Sequence, residues 1–258
     1  MNSLRSAITA SLVSVAILLA AAAGCDLQTS ERKAAMTLFV GVDVSGSFKN
    51  AGYDDALTFL AHYIYGHLHE LGGLAPPKAL FVGSIGGKKP GEPKTFHPIH
   101  DFQGKTIEQI ETELRTWFPP SDTLTDFNLF FQEVARIAKE RNLVLAPITM
   151  IVVTDGIPDV VEPGVKPGAK GLYAHINLNP LEYLARNITV RLAYVSPNVG
   201  DHWRKNVPRD RVRLWTVDRE VMKGWRDQMQ PGVDPAHQDR LWKWVQDNVD
   251  YRVRAAKL

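Results

Sequence analysis

From Met36 onward, the chain alternates between two kinds of hydrophobic pattern. Short continuous apolar runs are typical of strands buried on both faces of a parallel sheet, and apolar residues at helical spacing are typical of helices. The predicted strands cover 37–43, 79–82, 148–153, 188–195 and 211–217. The predicted helices cover 54–71, 107–118, 126–141, 181–187, 219–229 and 238–253. We therefore expect an α/β fold, a three-layer α/β/α sandwich around a mainly parallel sheet.

Segment 94–102 predicts one further short strand. It contains Pro98, and because proline has no N–H to donate to a central ladder, we place this strand at an edge of the sheet. In open α/β sheets, ligands bind outside the carboxyl ends of the strands. The functional residues are therefore expected in the loops that follow the predicted strands.

Residues 1–24 follow the pattern of an export signal. Arg5 precedes an apolar stretch, and Ala20 to Gly24 form a run of small residues. The apolar stretch has no polar face, which argues against a core helix, and it is shorter than the roughly 20 residues that span a membrane. The polar segment 25–35 that follows has no apolar period, and it predicts a tether.

The remaining length suits one domain. We assign residues 36–230 to this domain and residues 231–258 to a C-terminal helix that packs on it. Trp242 and Trp244 lie in that helix. Core packing explains them more simply than a groove for a partner.

Composition and charge limit the classes of partner. The 258 residues are 45% hydrophobic and 22% charged, which is typical of a folded globular chain. A formal net charge of +2 gives no global basic field, so a nucleic-acid partner is not expected. Cys25 is the single cysteine, which excludes an intramolecular disulfide and a zinc site built from several thiolates.

The segment Ala22-Ala23-Gly24-Cys25 resembles the lipobox of bacterial lipoproteins. The resemblance implies that the signal is cut before Cys25, that its thiol is diacylated, and that the protein is held by lipid at the bacterial cell envelope. Asp26, directly after the cysteine, favours the inner membrane facing the periplasm. An ordinary signal peptide and an uncleaved signal anchor are the alternatives.

Oxygen-bearing side chains follow the first predicted strand. Asp43, Ser45 and Ser47 offer a carboxylate and two hydroxyls from one loop, a set that suits Mg²⁺ or another hard divalent ion. Gly46 is expected to give this loop a tight bend.

Two later loops add further oxygen ligands. Asp155 follows the strand 148–153 in a Thr-Asp-Gly sequence. Thr123 or Thr125 lies directly before the aromatic-rich helix 126–141. Parallel topology brings these loops to the same edge of the sheet as the first.

These three segments together resemble the von Willebrand factor type A (vWA) domain and its metal-ion-dependent adhesion site (MIDAS), and the match covers about residues 36–230. The resemblance implies the following metal ligands: Asp43, Ser45, Ser47, Thr125 and Asp155, with Thr123 as the alternative to Thr125. It also implies Mg²⁺, with Mn²⁺ or Ca²⁺ as alternatives. The implied function is binding of a protein partner, through its acidic side chain, without catalysis.

Other functions fit these residues less well. A haloacid-dehalogenase phosphatase needs a second aspartate where this chain has Ser45. A metal-dependent hydrolase remains an alternative, although no histidine is available as a base in the three loops. A structural subunit of an envelope complex is another alternative. Position at the strand ends further predicts that Phe48, Asp159 and the loop 158–171 frame the surface for the partner.

Overall fold

The computed structural model describes residues 36–89, 91–120, 124–159, 169–185 and 187–251. Within this part of the chain, the main sheet has six strands: β1 (Met36–Val42), β2 (Pro77–Ser84), β4 (Phe96–Pro98), β6 (Ile148–Val153), β7 (Ile188–Val195) and β8 (Arg213–Asp218). Their order in the sheet is β4-β2-β1-β6-β7-β8. Neighbouring strands are parallel except at the β2–β4 pair. The predicted α/β fold is confirmed, including the short antiparallel edge strand that contains Pro98.

Helices connect the strands on both faces of the sheet. The helices are α1 (Gly46–Ala51), α2 (Tyr53–Leu68), α3 (Ile107–Trp117), α4 (Phe127–Glu140), α5 (Lys170–Tyr173), α6 (Asn179–Glu182), α7 (Pro197–Asn206), α8 (Arg219–Lys223) and α9 (Asp239–Asn248). The two-residue strands β3 (Gly86–Gly87) and β5 (Leu124–Thr125) pair with each other outside the main sheet. None of the described helices is long and apolar enough to span a membrane.

Several predicted helix boundaries are wrong. The helix predicted at 181–187 covers only Asn179–Glu182, where Pro180 lies in the first turn. The helix predicted at 219–229 ends at Lys223, and a 3₁₀ turn from Arg226 to Gln228 follows it. Of the predicted helix 238–253, residues 239–248 are helical, and the last two lie outside the described residues.

Three described helices, α1, α5 and α7, were not predicted. Helix α7 contains only two buried residues, Gly200 and Trp203, so its apolar pattern is weak in the sequence. Its start is nevertheless well marked, because the Ser196 side chain accepts a hydrogen bond from the N–H of Val199 and Pro197 follows. Helix α1 is short and contains a single buried residue, Phe48.

Apolar residues pack against both faces of the sheet. On one face, residues of α2, α3 and α9 form a core with β1 and β2, and on the other face residues of α4 and α7 pack against β6 and β7. Trp242 of α9 is fully buried in the first core. A Cβ atom at Gly66 of α2 would lie 2.6 Å from the Trp242 ring, so glycine allows the close approach of these two helices.

Candidate metal centre

The candidate site begins at the carboxyl end of β1. The N–H of Asp43 donates to the carbonyl of Val153 at 3.0 Å, which continues the β1–β6 pairing by one residue. The Asp43 carboxylate is fully buried. Its Oδ1 accepts the N–H of Ser45 at 2.9 Å, and its Oδ2 accepts the hydroxyl of Thr154 at 2.6 Å. The carboxylate is therefore held between the loops that follow β1 and β6.

The two serines lie where the chain turns into α1. Ser45 is the N-cap of this helix, and its Oγ accepts the N–H of Phe48 at 3.4 Å. The Oγ atoms of Ser45 and Ser47 are 3.1 Å apart. Ser45 is buried, whereas Ser47 is exposed. Both hydroxyls thus lie beside Asp43, one inside the protein and one at its surface.

Two predictions about this loop are wrong. Gly46 is the first residue of α1, and a Cβ atom there would meet nothing within 4 Å, so no tight bend requires glycine at this position. Phe48 does not frame a surface, because its side chain is fully buried and its ring lies 6.1 Å from that of Tyr194. Phe48 anchors α1 to the core.

The third loop carries Asp155 directly after β6. Its Oδ1 accepts the N–H of Ile157 at 3.0 Å. Gly156 has φ +76°, and a Cβ atom there would lie 2.8 Å from a methyl carbon of Val199. This turn therefore requires glycine.

Trp203 holds the same turn from α7. Its indole Nε1 donates to the carbonyl of Gly156 at 2.7 Å, and its ring contacts that of Phe127 edge-on at 4.9 Å. Phe127 is the first residue of α4, two positions after Thr125. One buried tryptophan thus contacts the third loop and the first residue of α4, which follows the second loop.

Thr125 comes from the second loop and is buried. It pairs with Gly86 in the β3–β5 ribbon, and the next residue, Asp126, caps α4 by accepting the N–H of Leu129 at 2.9 Å. The N–H of Thr125 donates to the carboxylate of Asp159. The alternative ligand, Thr123, lies outside the described residues, as do Cys25 and the part of the predicted partner loop between 160 and 168.

The electrostatics of the site favour a cation. Burial, with repulsion from Asp155 as the next cause, raises the pKa of Asp43 to about 6. Burial also raises the pKa of Asp155. No Lys, Arg or His forms an ion pair with either carboxylate in the described part of the chain. Two buried like charges thus lack a positive partner among the described side chains.

The donor set fits a hard divalent ion. Within the described ranges, no three His, Cys, Asp or Glu side chains are grouped as metal ligands. The candidate site is of another kind, since it combines two carboxylates with three hydroxyls. Such oxygen donors suit Mg²⁺, Mn²⁺ or Ca²⁺ rather than a soft metal.

Sequence reasoning did not assign a contact to Thr154. This fully buried residue donates to Asp43 and accepts the N–H of Gly156 at 2.9 Å. It therefore fixes the distance between the first and third loops. The only signal in the sequence was its position, directly before Asp155 at the end of a buried strand.

The comparisons with known proteins add no family. No family model matches the sequence, and no curated protein matches it. The fold is similar to that of the SpRpn10 VWA domain, with a TM-score of 0.43, 9% identity, and coverage of 83% of this chain and 96% of that chain.

Two further similar structures contain a bound metal ion. Manganese-loaded TRAP protein of Plasmodium vivax has a TM-score of 0.42 and 18% identity, with 72% of this chain and 69% of that chain covered. Mussel byssus proximal thread matrix protein 1, with a zinc-occupied MIDAS motif, has a TM-score of 0.43 and 13% identity, with 74% and 46% covered. At these identities and TM-scores, the matches carry no argument about the function of this chain.

Proposed function

We propose that this protein is an exported vWA module that binds a protein partner through a divalent cation held in a MIDAS. The observation that carries the proposal is the buried pair of Asp43 and Asp155. These carboxylates repel each other, the hydroxyls of Ser45 and Ser47 lie in the same loop as Asp43, and no described cationic side chain pairs with them. A bound divalent ion would offset both charges.

Several side chains of this chain would bind the ion together. The proposed ligands, direct or through water, are Asp43, Ser45, Ser47, Thr125 and Asp155, and Mg²⁺ is the first choice, ahead of Mn²⁺ and Ca²⁺. Thr154 keeps the Asp43 carboxylate in place through its 2.6 Å hydrogen bond. When bound, the ion supplies an exchangeable position for an oxygen ligand from outside the chain.

The exposed side of the site favours an acidic partner. Ser47 and Asp155 lie nearest the solvent, and Ser47 is exposed. A carboxylate from another protein would complete the coordination of the ion in a partly dry site. Binding is preferred to hydrolysis because no histidine occurs in the described loops 43–47, 124–126 and 154–159 to act as a general base.

The location is proposed from the sequence of residues 1–35 alone. Cleavage before Cys25, followed by acylation of its thiol, would leave the vWA module on a tether of about ten residues at the bacterial inner membrane. Incorporation of labelled palmitate by wild type, and its loss in Cys25→Ala, would support this part. Equal incorporation by both would contradict it.

The binding function is tested by capture from envelopes of the source organism. Purified wild type and Asp43→Ala are incubated with solubilised envelopes in Mg²⁺ or in a chelator, then crosslinked. We expect a defined partner with wild type in Mg²⁺ only, and circular dichroism should show that Asp43→Ala remains folded. Equal capture in the presence of the chelator would contradict the proposal.

A further inference from the structure

Asp159 links two loops of the candidate site. It follows Asp155 by four residues, beyond the Gly156 turn, and its carboxylate accepts the N–H of Thr125. Asp159 is half-buried, and its charge interacts with that of Asp155. A third carboxylate is therefore built into the site by a contact with one proposed ligand.

The contact holds the backbone of Thr125 beside the site. A threonine hydroxyl has two lone pairs that can bind a cation. Because the Asp159 carboxylate anchors the Thr125 N–H, it keeps this hydroxyl in one position and adds negative charge next to it. Metal ligands in proteins are commonly oriented by such outer carboxylates.

We propose that Asp159 is a positioning residue of the cation site, which acts through Thr125 and adds a third negative charge. This inference rests on the proposed divalent-cation function. Asp159 is also predicted to frame the partner surface, and its hydrogen bond with Thr125 points to a further role toward the ion.

A purely structural role for the same contact makes a different prediction. If Asp159 only braces the loop around Thr125, its replacement by asparagine changes the binding of all cations by the same factor or not at all. If its charge acts on the ion, the loss grows with the charge of the ion, since Coulomb energy is proportional to that charge. Comparison of a divalent with a trivalent ion therefore separates the two roles.

The test uses Asp159→Asn, which preserves the shape of the side chain and removes its charge. Mg²⁺ binding is measured by calorimetry and Tb³⁺ binding by luminescence, with the full-length protein at pH 7.5. We expect Mg²⁺ to bind about fivefold more weakly and Tb³⁺ about tenfold more weakly, because the free-energy losses should stand in the ratio of the ionic charges.

Asp218→Asn is the matched control. Asp218 is the last residue of a strand of the main sheet, β8, and its side chain accepts a backbone N–H, that of Glu220 at 2.7 Å, as the N-cap of α8. Asparagine caps helices as well as aspartate does. Because Asp218 lies at the end of β8, two strands beyond β6, this variant should bind both ions as wild type does.

Each result has one interpretation. Unchanged binding in Asp159→Asn, or equal losses for Mg²⁺ and Tb³⁺, would overturn the role of Asp159 while leaving the cation site in place. If wild type itself binds neither ion, both the proposed function and this inference are contradicted.

Discussion

Two buried carboxylate sites in this fold differ in what surrounds them. Glu182, at the end of α6, is almost fully buried and accepts the N–H groups of three consecutive residues, Asp210, Arg211 and Val212. Asp43 is equally buried, but it accepts one backbone N–H and one hydroxyl and faces the charge of Asp155. Backbone N–H groups satisfy the carboxylate of Glu182, whereas Asp43 belongs to a pair of carboxylates that repel each other.

The difference separates a structural carboxylate from a functional one. Three backbone donors stabilise the charge of Glu182 and pin the segment that leads into β8. Nothing comparable offsets the pair at the ends of β1 and β6, so the cation-free fold carries an electrostatic cost there. Sites arranged in this way are common where a protein binds a ligand of the opposite charge.

Among the substitutions that test this comparison, Asp43→Asn should have the largest effect on Mg²⁺ binding. It removes one charge of the pair, so we expect Mg²⁺ binding to weaken by more than about a hundredfold. The same change should stabilise the cation-free protein at pH 7.5 by about 2 kcal/mol, or about 4–8 °C in Tm for a domain of this size. Calorimetric titration and thermal unfolding in EDTA measure both effects. A lower Tm with intact Mg²⁺ binding would reverse our assignment of this carboxylate.

Glu182→Gln should act in the opposite direction on stability. An amide replaces a charged acceptor of three N–H groups, and its own NH₂ must face one of these donors. We expect a loss of about 3 kcal/mol in the free energy of unfolding, with no change in Mg²⁺ affinity. Urea unfolding and Mg²⁺ titration of the same preparation test this. A stability equal to that of wild type would show that the two carboxylates are not different in kind.

The pH dependence sharpens the comparison further. The pKa of Asp43 is raised from 3.8 to about 6 in the folded protein, so the folded state binds this proton more tightly than the unfolded state. Its contribution to stability is therefore present below pH 3.8 and is lost as the pH rises to about 6, on the order of 3 kcal/mol. The loss should appear when urea unfolding in EDTA is compared at pH 4 and pH 7, and it should be absent in Asp43→Asn.

A cation that binds the Asp43 carboxylate must displace the proton from it. Mg²⁺ affinity should therefore fall about tenfold for each pH unit below 6 and be nearly constant from pH 7 to 8. Titrations at pH 5, 6, 7 and 8 measure this slope. An affinity independent of pH over this range would mean that the pair does not hold the ion.

Trp203→Phe should have the smallest effect. It keeps an aromatic ring in the core but removes the hydrogen bond to Gly156, so the Asp155 turn is held less firmly. We expect Mg²⁺ to bind about threefold to tenfold more weakly. Trp242→Phe is the control, since Trp242 is also fully buried and its Nε1 donates to the carbonyl of Pro235 at the same 2.7 Å. Equal Mg²⁺ affinities in the two variants would show that Trp203 does not contribute to cation binding.

The sequence predicts the strands of this fold better than its helices. Strands β1, β6 and β7 are buried on both faces and are therefore continuous apolar runs. Helix α7 was missed because Gly200 and Trp203 are its only buried residues, and α1 because it is short. Phe48 was misassigned because its burial depends on Tyr194, which lies far along the chain.

The same limit applies to the candidate site. Asp43, Ser45, Ser47 and Asp155 are recognisable because they follow strands in short motifs. The contacts of Thr154 with Asp43 and of Asp159 with Thr125 join residues 111 and 34 positions apart. Only the packed fold brings such pairs together, and it is these contacts that orient the proposed ligands.

One measurement tests the central claim most directly. Calorimetric titration of wild type with Mg²⁺ at pH 6, in two buffers of different ionisation enthalpy, reports both the stoichiometry and the protons released. We expect one ion per chain with release of about half a proton, since Asp43 is half-protonated near its pKa, and no binding in Asp43→Asn. Absence of Mg²⁺ binding by wild type at millimolar concentrations, or equal binding by the variant, would contradict the account.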